Sequence, residues 1–426
     1  MAQYDLTPKL IKYLDRHQVL NLLTSLQEKE LYKKEDLLRS KLELVSKTKM
    51  VDTAAEEYRL LHNTDKVPKE MEELRNKVVA DLEACNSSKG LLGLLMKEDL
   101  VVKLREESNF NFEYLSSEYS IEEKDLNELY TTARFQFDCG QYGQAAELLY
   151  CFRELSNNEE QCFWALWGKL SAEILLQNWE AAFEDLKELK EAIDKRVFTE
   201  HLQQLQQRTW LIHWSLFVWF SLENRLGAMI EFFFSDKLLN TIETNCPHIL
   251  RYLAVASIIN KRRKNNLNDV VRLLRQEKNA HSDPITEFLL AVYTEFDFEL
   301  AHAKLKECEV VVKNDFFLDQ EGIADDFFYS ARLLIFETFC RVHNCISLDK
   351  LVSNLDIEGD VETELSKFIQ DCRVEAEIDT KKKLLIITTS KPGTYQNITE
   401  FEKVKQLAAR SRQVAAQVEK KYKDMM

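Results

Sequence analysis

Side chains that commonly act as nucleophiles, proton carriers or metal ligands are scattered along this chain. Its 426 residues include eight histidines and nine cysteines, without a Cys-x-x-Cys pair or metal-ligand spacing. No phosphate loop, His-Glu-x-x-His motif or nucleophile elbow is present. His17 and His213 lie in apolar helical stretches, where a packed histidine is expected. The sequence therefore predicts no catalytic residue, no metal and no cofactor.

Two compact groups of basic residues could instead contact the phosphates of RNA. One is a predicted turn and the other a predicted loop flanked by asparagines; their members are Lys381, Lys382 and Lys383, and Lys261, Arg262, Arg263 and Lys264. The second group could also serve as a nuclear-import signal. For each group, the alternative interpretation is a solvated turn or loop without a ligand, and for the turn at 381–383 that alternative is favoured.

The first basic group lies within a stretch, residues 325–391, that we predict to be a winged helix. Its pattern is an apolar helix, a short extended piece at 345–347, two further helices, and a hairpin that ends in the strand 384–388, which is rich in β-branched residues. The last helix, 361–373, carries an exposed net charge of −1. That charge opposes entry into a DNA groove, because such affinity depends on cations that replace counterions. We therefore interpret the winged helix as a protein-binding module.

The binding surface that we predict on this module is its last strand. Leu384, Leu385, Ile386 and Ile387 are apolar on both strand faces. One face must pack on the helices, which leaves the other face and an open edge for a partner.

Composition indicates an almost entirely helical chain with reduced thiols. Only 9 Gly and 5 Pro occur, the net charge is −15, and the cysteine count is odd.

Residues 379–426 carry eleven Lys and Arg against five Asp and Glu, so this basic tail suits an acidic partner, RNA or plain solvent. We find no signal-peptide pattern at the N-terminus, and the longest apolar run, Leu211–Phe220, is too short for a bilayer. A cytosolic or nuclear protein without membrane contact is expected.

A repeated helix-pair pattern begins near residue 126. Three copies have an aromatic residue at the turn, Ala three residues later and Leu four beyond: Tyr142, Ala145 and Leu149; Trp179, Ala182 and Leu186; Phe298, Ala301 and Leu305. The copies resemble tetratricopeptide repeats, whose pairs must stack to bury their apolar faces. The predicted fold is mostly α: a right-handed helical-repeat solenoid, then a winged helix with a small β wing, then a C-terminal helix. The predicted divisions are 1–125 (N-terminal helices), 126–324 (repeats), 325–391 (winged helix) and 392–426 (C-terminal helix).

The final helix carries a heptad stripe over more than three repeats. Its members are three and four residues apart: Phe401, Val404, Ala408, Ser411, Ala415, Val418, Tyr422 and Met425. The apolar face is too wide for a lone helix in water, so we predict that it packs into a bundle with other chains.

This order of elements resembles the PCI family, the scaffold subunits of the proteasome lid, the signalosome and translation initiation factor 3. Within that family, long aromatic strings resemble one branch of the initiation factor 3 subunits. They are Leu205–Phe217, Cys246–Tyr252, Asp283–Phe288 and Asn314–Leu318, with Tyr4–Leu6 and Ala331–Ser347 extending the likeness.

The resemblance implies a non-catalytic scaffold protein in a hetero-oligomer. It implies the c and l subunits of initiation factor 3 as neighbours, the d subunit at the periphery, and support for recruitment of the small ribosomal subunit and mRNA. A cytoplasmic location follows, with a nuclear one also open. Two alternatives remain: a winged-helix nucleic-acid binder, and a component of the proteasome lid or signalosome.

Overall fold

Helices dominate the part of the chain that the structure describes. The computed structural model describes residues 4–86, 91–95, 110–198, 200–222, 225–260, 264–320, 322–343, 345–355, 361–379, 382–387, 404–415 and 418. They divide into two compact units, residues 1–296 with 303–331, and residues 297–302 with 332–426. The predicted division of the chain at residues 125, 324 and 391 stays a prediction.

The N-terminal part of the first unit consists of short amphipathic helices. Asp15 caps α2, because its carboxylate accepts the backbone N–H of His17 at 3.0 Å. The helices are α1 (Thr7–Leu10), followed by a 3₁₀ turn (Ile11–Tyr13), α2 (Arg16–Glu28), α3 (Lys34–Val45), α4 (Val51–His62), α5 (Lys69–Asn86), α6 (Leu91–Leu95) and α7 (Phe112–Tyr119).

The helices that follow contain the predicted repeats. They are α8 (Glu123–Asp138), α9 (Tyr142–Leu155), α10 (Glu159–Leu175), α11 (Trp179–Lys195), α12 (His201–Ser221), α13 (Leu226–Phe233), α14 (Asp236–Asn245), α15 (Leu250–Ile259), α16 (Lys264–Gln276), α17 (Pro284–Leu290) and α18 (Phe298–Asn314). Ala145, Ala182 and Ala301 are all fully buried, as expected for small residues where helices approach closely. The helical-repeat prediction is thereby confirmed.

The N-terminal helices pack on the repeats within this first unit. His17 Nδ1 lies 2.9 Å from the hydroxyl of Tyr142, and Gln18 Nε2 donates to Ser171 Oγ at 3.3 Å. Trp214 Nε1 donates to the carbonyl of Tyr13 at 3.0 Å. Buried polar side chains thus fix the first helices against α9, α10 and α12.

The second unit contains the predicted winged helix. Its elements are α19 (Ile323–Val342), which begins in the first unit, β1 (Cys345–Ser347), α20 (Leu348–Leu355), α21 (Val361–Cys372), β2 (Ala376–Asp379) and β3 (Leu384–Ile387). Phe336 and Phe368 bring α19 and α21 together, with ring centroids 6.0 Å apart. The predicted order of helix, short strand, two helices and hairpin is confirmed, and residues 404–415 are helical.

Candidate assembly surfaces

The wing is a three-stranded antiparallel sheet with β3 in the middle. The strand order is β1-β3-β2, and Leu385 pairs with Ile346 on one side and Ile378 on the other. Leu385 is fully buried and Ile346 is 3% exposed. Because side chains alternate along a strand, Leu385 and Ile387 share the buried face, while Leu384 and Ile386 share the outer face.

The central position of β3 corrects one prediction. We expected residues 384–387 to offer an open strand edge, but their backbone groups face both neighbouring strands. A partner strand cannot add to β3, because both of its edges are occupied. Among the described residues, the outer strands are β1 and β2. The error arose because β1 has only three residues, and nothing in its sequence indicates which strand it joins.

The outer face of the sheet is a narrow apolar strip with a polar rim. Leu384 and Ile386 are half-buried, and Ile386 lies between the exposed residues Cys345 and Glu377. Leu384 lies between Ser347 and Asp379. Leu384 and Ile386, with the polar side chains beside them, can contact a partner protein through their side chains. Such a contact does not require a free strand edge.

The basic turn of the wing is only partly described. Lys381 lies outside the described residues, and Lys382 and Lys383 are exposed. The backbone N–H of Lys382 donates to Asp379 Oδ1 at 3.2 Å, and its Nζ lies 3.8 Å from Asp379 Oδ2. An acid beside these cations reduces the positive charge available to a phosphate.

The second basic group lies almost entirely outside the described residues. Lys261, Arg262 and Arg263 are not among them. Lys264 is the first residue of α16, and its side chain is likewise outside the description. The prediction of an RNA contact there stays a prediction.

The tail helix exposes the predicted stripe. Val404 is 62% exposed and Val418 59%, and Leu407 and Val414 beside the stripe are 64% and 58% exposed. Ala408, Ser411 and Ala415 are exposed as well, while Phe401, Tyr422 and Met425 lie outside the described residues. Residues 404–415 therefore form an amphipathic helix, and no described part of the chain covers its apolar side chains.

The first unit contains a buried charge cluster whose residues are not among the predicted site residues. Arg251 Nε donates to Asp283 Oδ2 at 2.6 Å, and Nη1 donates to Asp315 Oδ2 at 3.1 Å. Its third nitrogen, Nη2, donates to the backbone carbonyl of Tyr4 at 2.7 Å. His281 Nε2 lies 3.2 Å from Asp283 Oδ2. Arg251 is 1% exposed and Asp283 2%.

The two carboxylates of this cluster respond differently to their surroundings. Burial opposes ionisation of Asp283, but the hydrogen bond from His281 and the charge of Arg251 outweigh it and lower its pKa. Burial prevails at Asp315 and raises its pKa, although Arg251 opposes the shift. The cluster thus confines two acids and one guanidinium where water cannot stabilise them.

Four stretches that carry the sequence resemblance meet at this cluster. Tyr4, Arg251, Asp283 and Asp315 each belong to a different one of these stretches. Arg251 lies inside an apolar string and Asp315 directly precedes two phenylalanines. A charged residue in such a string predicts a buried ion pair only if its partner can be assigned.

A second buried polar feature joins α12 to the 3₁₀ turn Pro247–Ile249, which precedes α15. His213 Nδ1 lies 2.6 Å from the carbonyl of Thr209, and its Nε2 lies 2.9 Å from His248 Nε2. Because a carbonyl only accepts, His213 donates from Nδ1, and His248 must donate to its Nε2. Burial lowers the pKa of His213 to about 4 and also lowers that of His248. The pair is a neutral packed contact, as predicted for His213.

Features of metal sites and membrane spans are not found in the described part of the chain. No three His, Cys, Asp or Glu side chains there are grouped closely enough to hold a metal ion. None of the helices there combines the length and the hydrophobicity that crossing a bilayer requires.

Comparison with known proteins agrees with this geometry. The PCI domain family matches residues 305–389, and the family of the eIF3 subunit 6 N terminal domain matches residues 5–136. Helical repeats followed by a winged helix, together with the match to the PCI domain family, define a PCI-domain protein.

Similarity along the whole chain identifies the branch. The E subunit of eukaryotic translation initiation factor 3 from Arabidopsis thaliana is 39% identical over 411 residues, covering 94% of this chain and 93% of the relative. The protein of the same name in Aspergillus clavatus is 41% identical over 413 residues, covering 94% and 90%. The one in Bombyx mori is 39% identical over 433 residues, covering 99% and 96%. The chain belongs to the family of the E subunits of eukaryotic translation initiation factor 3.

Proposed function

We propose that this chain is a non-catalytic scaffold subunit of the initiation factor 3 complex. In that role it assembles through the tail stripe and the outer face of the wing. The observation that carries the proposal is the tail helix, whose apolar side chains at 404, 407, 414 and 418 are 58–64% exposed. A single helix gains most of its stability by burying such a face, so this one requires a partner.

Family membership supports the remaining parts of the proposal. The neighbours on the tail and wing would be the c and l subunits, with the d subunit at the periphery. The assembled complex would support recruitment of the small ribosomal subunit and mRNA in the cytoplasm. The acidic charge of the chain as a whole favours protein contacts over extensive RNA contact.

The test is co-purification of the full chain with the c and l subunits after co-expression. The stripe variant carries Val404→Glu and Val418→Glu, and the control carries Gln406→Glu and Gln413→Glu on the opposite face of the same helix. We expect the stripe variant to lose at least tenfold in recovery of both subunits and the control to match the parent. Equal recovery with the two double variants would show that the stripe does not serve assembly.

The wing is tested separately by Ile386→Asp on its outer face. We expect weaker recovery of a neighbouring subunit, because a carboxylate then replaces an apolar contact. Full recovery of both subunits would restrict assembly to the tail. Sucrose-gradient sedimentation tests the proposed role in recruitment of the small ribosomal subunit. The parent chain should sediment with that subunit, and a parent chain that stays at the top of the gradient would contradict the role.

A further inference from the structure

The charged side chains in the described part of the tail helix all lie beside its apolar face. They are Lys405, Arg410 and Arg412; no Asp or Glu accompanies them, and all three are exposed. At about 100° of rotation per residue, the apolar side chains form an arc roughly 120° wide, bounded by Val414 and Ala408. Lys405 and Arg412 lie along the border next to Ala408, and Arg410 lies along the border next to Val414. Both borders of the apolar face are therefore cationic.

The back of the tail helix is neutral. Gln406, Ala409 and Gln413 lie opposite the apolar arc. In the sequence, residues 399–403 and 416–426 add four lysines and four acids, so the excess of cations comes from the described helix. Cations that served solubility alone would be fully hydrated on the back. Cations on the two borders instead contact the edges of a helix that covers the apolar face, and so they select its charge.

The centre of the apolar arc consists of small side chains. Ala408, Ser411 and Ala415 occupy successive core positions of the heptad pattern. Small residues allow a facing helix to approach closely, and large apolar side chains on that helix fill the space that they leave. Two copies of this helix would leave that space empty, because small residues would face small residues.

We propose that the tail helix binds a helix of another subunit that carries Asp or Glu on both borders of a stripe of large apolar residues. This inference rests on the proposed assembly role of the tail and specifies the chemistry of its partner. A second copy of this chain is disfavoured, because an antiparallel pair would bring Lys405 and Arg412 against the same cations. RNA is disfavoured, because phosphates would pair with the cations and leave uncovered the apolar side chains that are 58–64% exposed.

The test measures binding of two fluorescent peptides to the full chain by anisotropy. Both peptides are amphipathic helices with Leu at the a and d positions of each heptad. The acidic peptide carries Glu at the e and g positions and the basic peptide carries Lys, so neither pairs readily with itself. We expect the acidic peptide alone to bind the parent, and its binding should weaken as salt rises.

Variants of the border cations test the charge selection. Lys405→Gln with Arg412→Gln should weaken binding of the acidic peptide about fivefold, because two exposed ion pairs are lost. The control, Gln406→Glu with Gln413→Glu, changes the net charge equally on the back of the helix and should change binding less than about twofold. Lys405→Glu with Arg412→Glu should transfer the preference to the basic peptide, a result that a folding defect cannot produce.

Other occupants of the apolar face would give different results. Equal binding of the two peptides, or an equal loss in the control, would overturn the proposal. So would single-stranded RNA that binds the parent more tightly than the acidic peptide does. Dimers of the parent that dissociate in the stripe variant would make a second copy the occupant. Protection of the bond after Arg410 from trypsin in the free parent would show that the chain itself covers the face, which would also overturn the proposal.

Co-purification with the c and l subunits separates this proposal from the assembly role on which it rests. The variant with Lys405→Glu and Arg412→Glu should lose about fivefold in recovery. If the stripe variant keeps both subunits, the assembly role of the tail fails. If the stripe variant loses them and the charge-reversed variant keeps them, the charge selection alone fails.

Discussion

Replacing Arg251 by Met should reveal how strongly the buried charge cluster holds the first unit together. The guanidinium makes three hydrogen bonds, two of them to carboxylates and one to the carbonyl of Tyr4. Methionine fills a similar volume but leaves Asp283 and Asp315 as buried anions, whose side chains are only 1% and 4% exposed. The variant therefore loses the attraction between the guanidinium and the two carboxylates, while the cost of removing both carboxylates from water remains.

The expected loss in free energy of unfolding is about 3–5 kcal/mol, the range found when one partner of a buried ion pair is removed. This loss should depend on pH. Without Arg251 the folded-state pKa of Asp283 should rise above its unfolded value, and the pKa of Asp315, which burial already raises, should rise further. The variant therefore takes up protons as the pH falls. The difference between variant and parent should therefore shrink from pH 8 to pH 5.

Urea unfolding followed by circular dichroism measures the difference at each pH. Arg275→Met, in the last turn of α16 and exposed, is the control and should change stability by less than about 0.5 kcal/mol. Adding Asp283→Asn and Asp315→Asn to the Arg251 variant should recover part of the loss, since no buried charge then remains. A loss under about 1 kcal/mol, or one that is the same at both pH values, would refute the reasoning.

Three further outcomes are expected. Burial lowers the pKa of His213 to about 4, from roughly 6.5 in the unfolded chain. The contribution of the neutral His213 side chain to stability should therefore be complete above about pH 6.5 and fall by about 2 kcal/mol at pH 5. In urea titrations the His213→Gln variant should flatten this profile, whereas the exposed control His201→Gln should not; parallel profiles would contradict the assignment. Ala182→Leu should lower the free energy of unfolding by about 1–3 kcal/mol, because Ala182 is fully buried and a larger side chain would overpack its surroundings. A neutral effect in thermal unfolding would show room between the helices. Leu385→Ala should lower the free energy of unfolding by about 2–5 kcal/mol, and Ile386→Ala, at a half-buried position, by clearly less. A larger loss for Ile386→Ala in denaturant titrations would mean that the two faces of β3 are exchanged.

Local patterns predicted most elements of the fold. The spacing of aromatic residue, alanine and leucine identified three helix pairs, because a close helix crossing requires a small side chain at a fixed distance from the turn. The apolar run 384–387, which contains two β-branched isoleucines, identified the last strand because this signal is also local. Its neighbours could not be predicted in this way, since strand order depends on which distant segment returns beside it.

The sequence by itself determined a helical chain with repeats, a winged helix and an amphipathic tail. Periodicity and the scarcity of Gly and Pro act over a few turns and are readable from neighbouring residues. Only the tertiary structure decided that β3 is the central strand and that Arg251 meets Asp283, Asp315 and a carbonyl 247 positions away in the chain. Pairing of buried charges requires contact within about 4 Å, and folding creates that contact between residues whose separation in sequence carries no information about it.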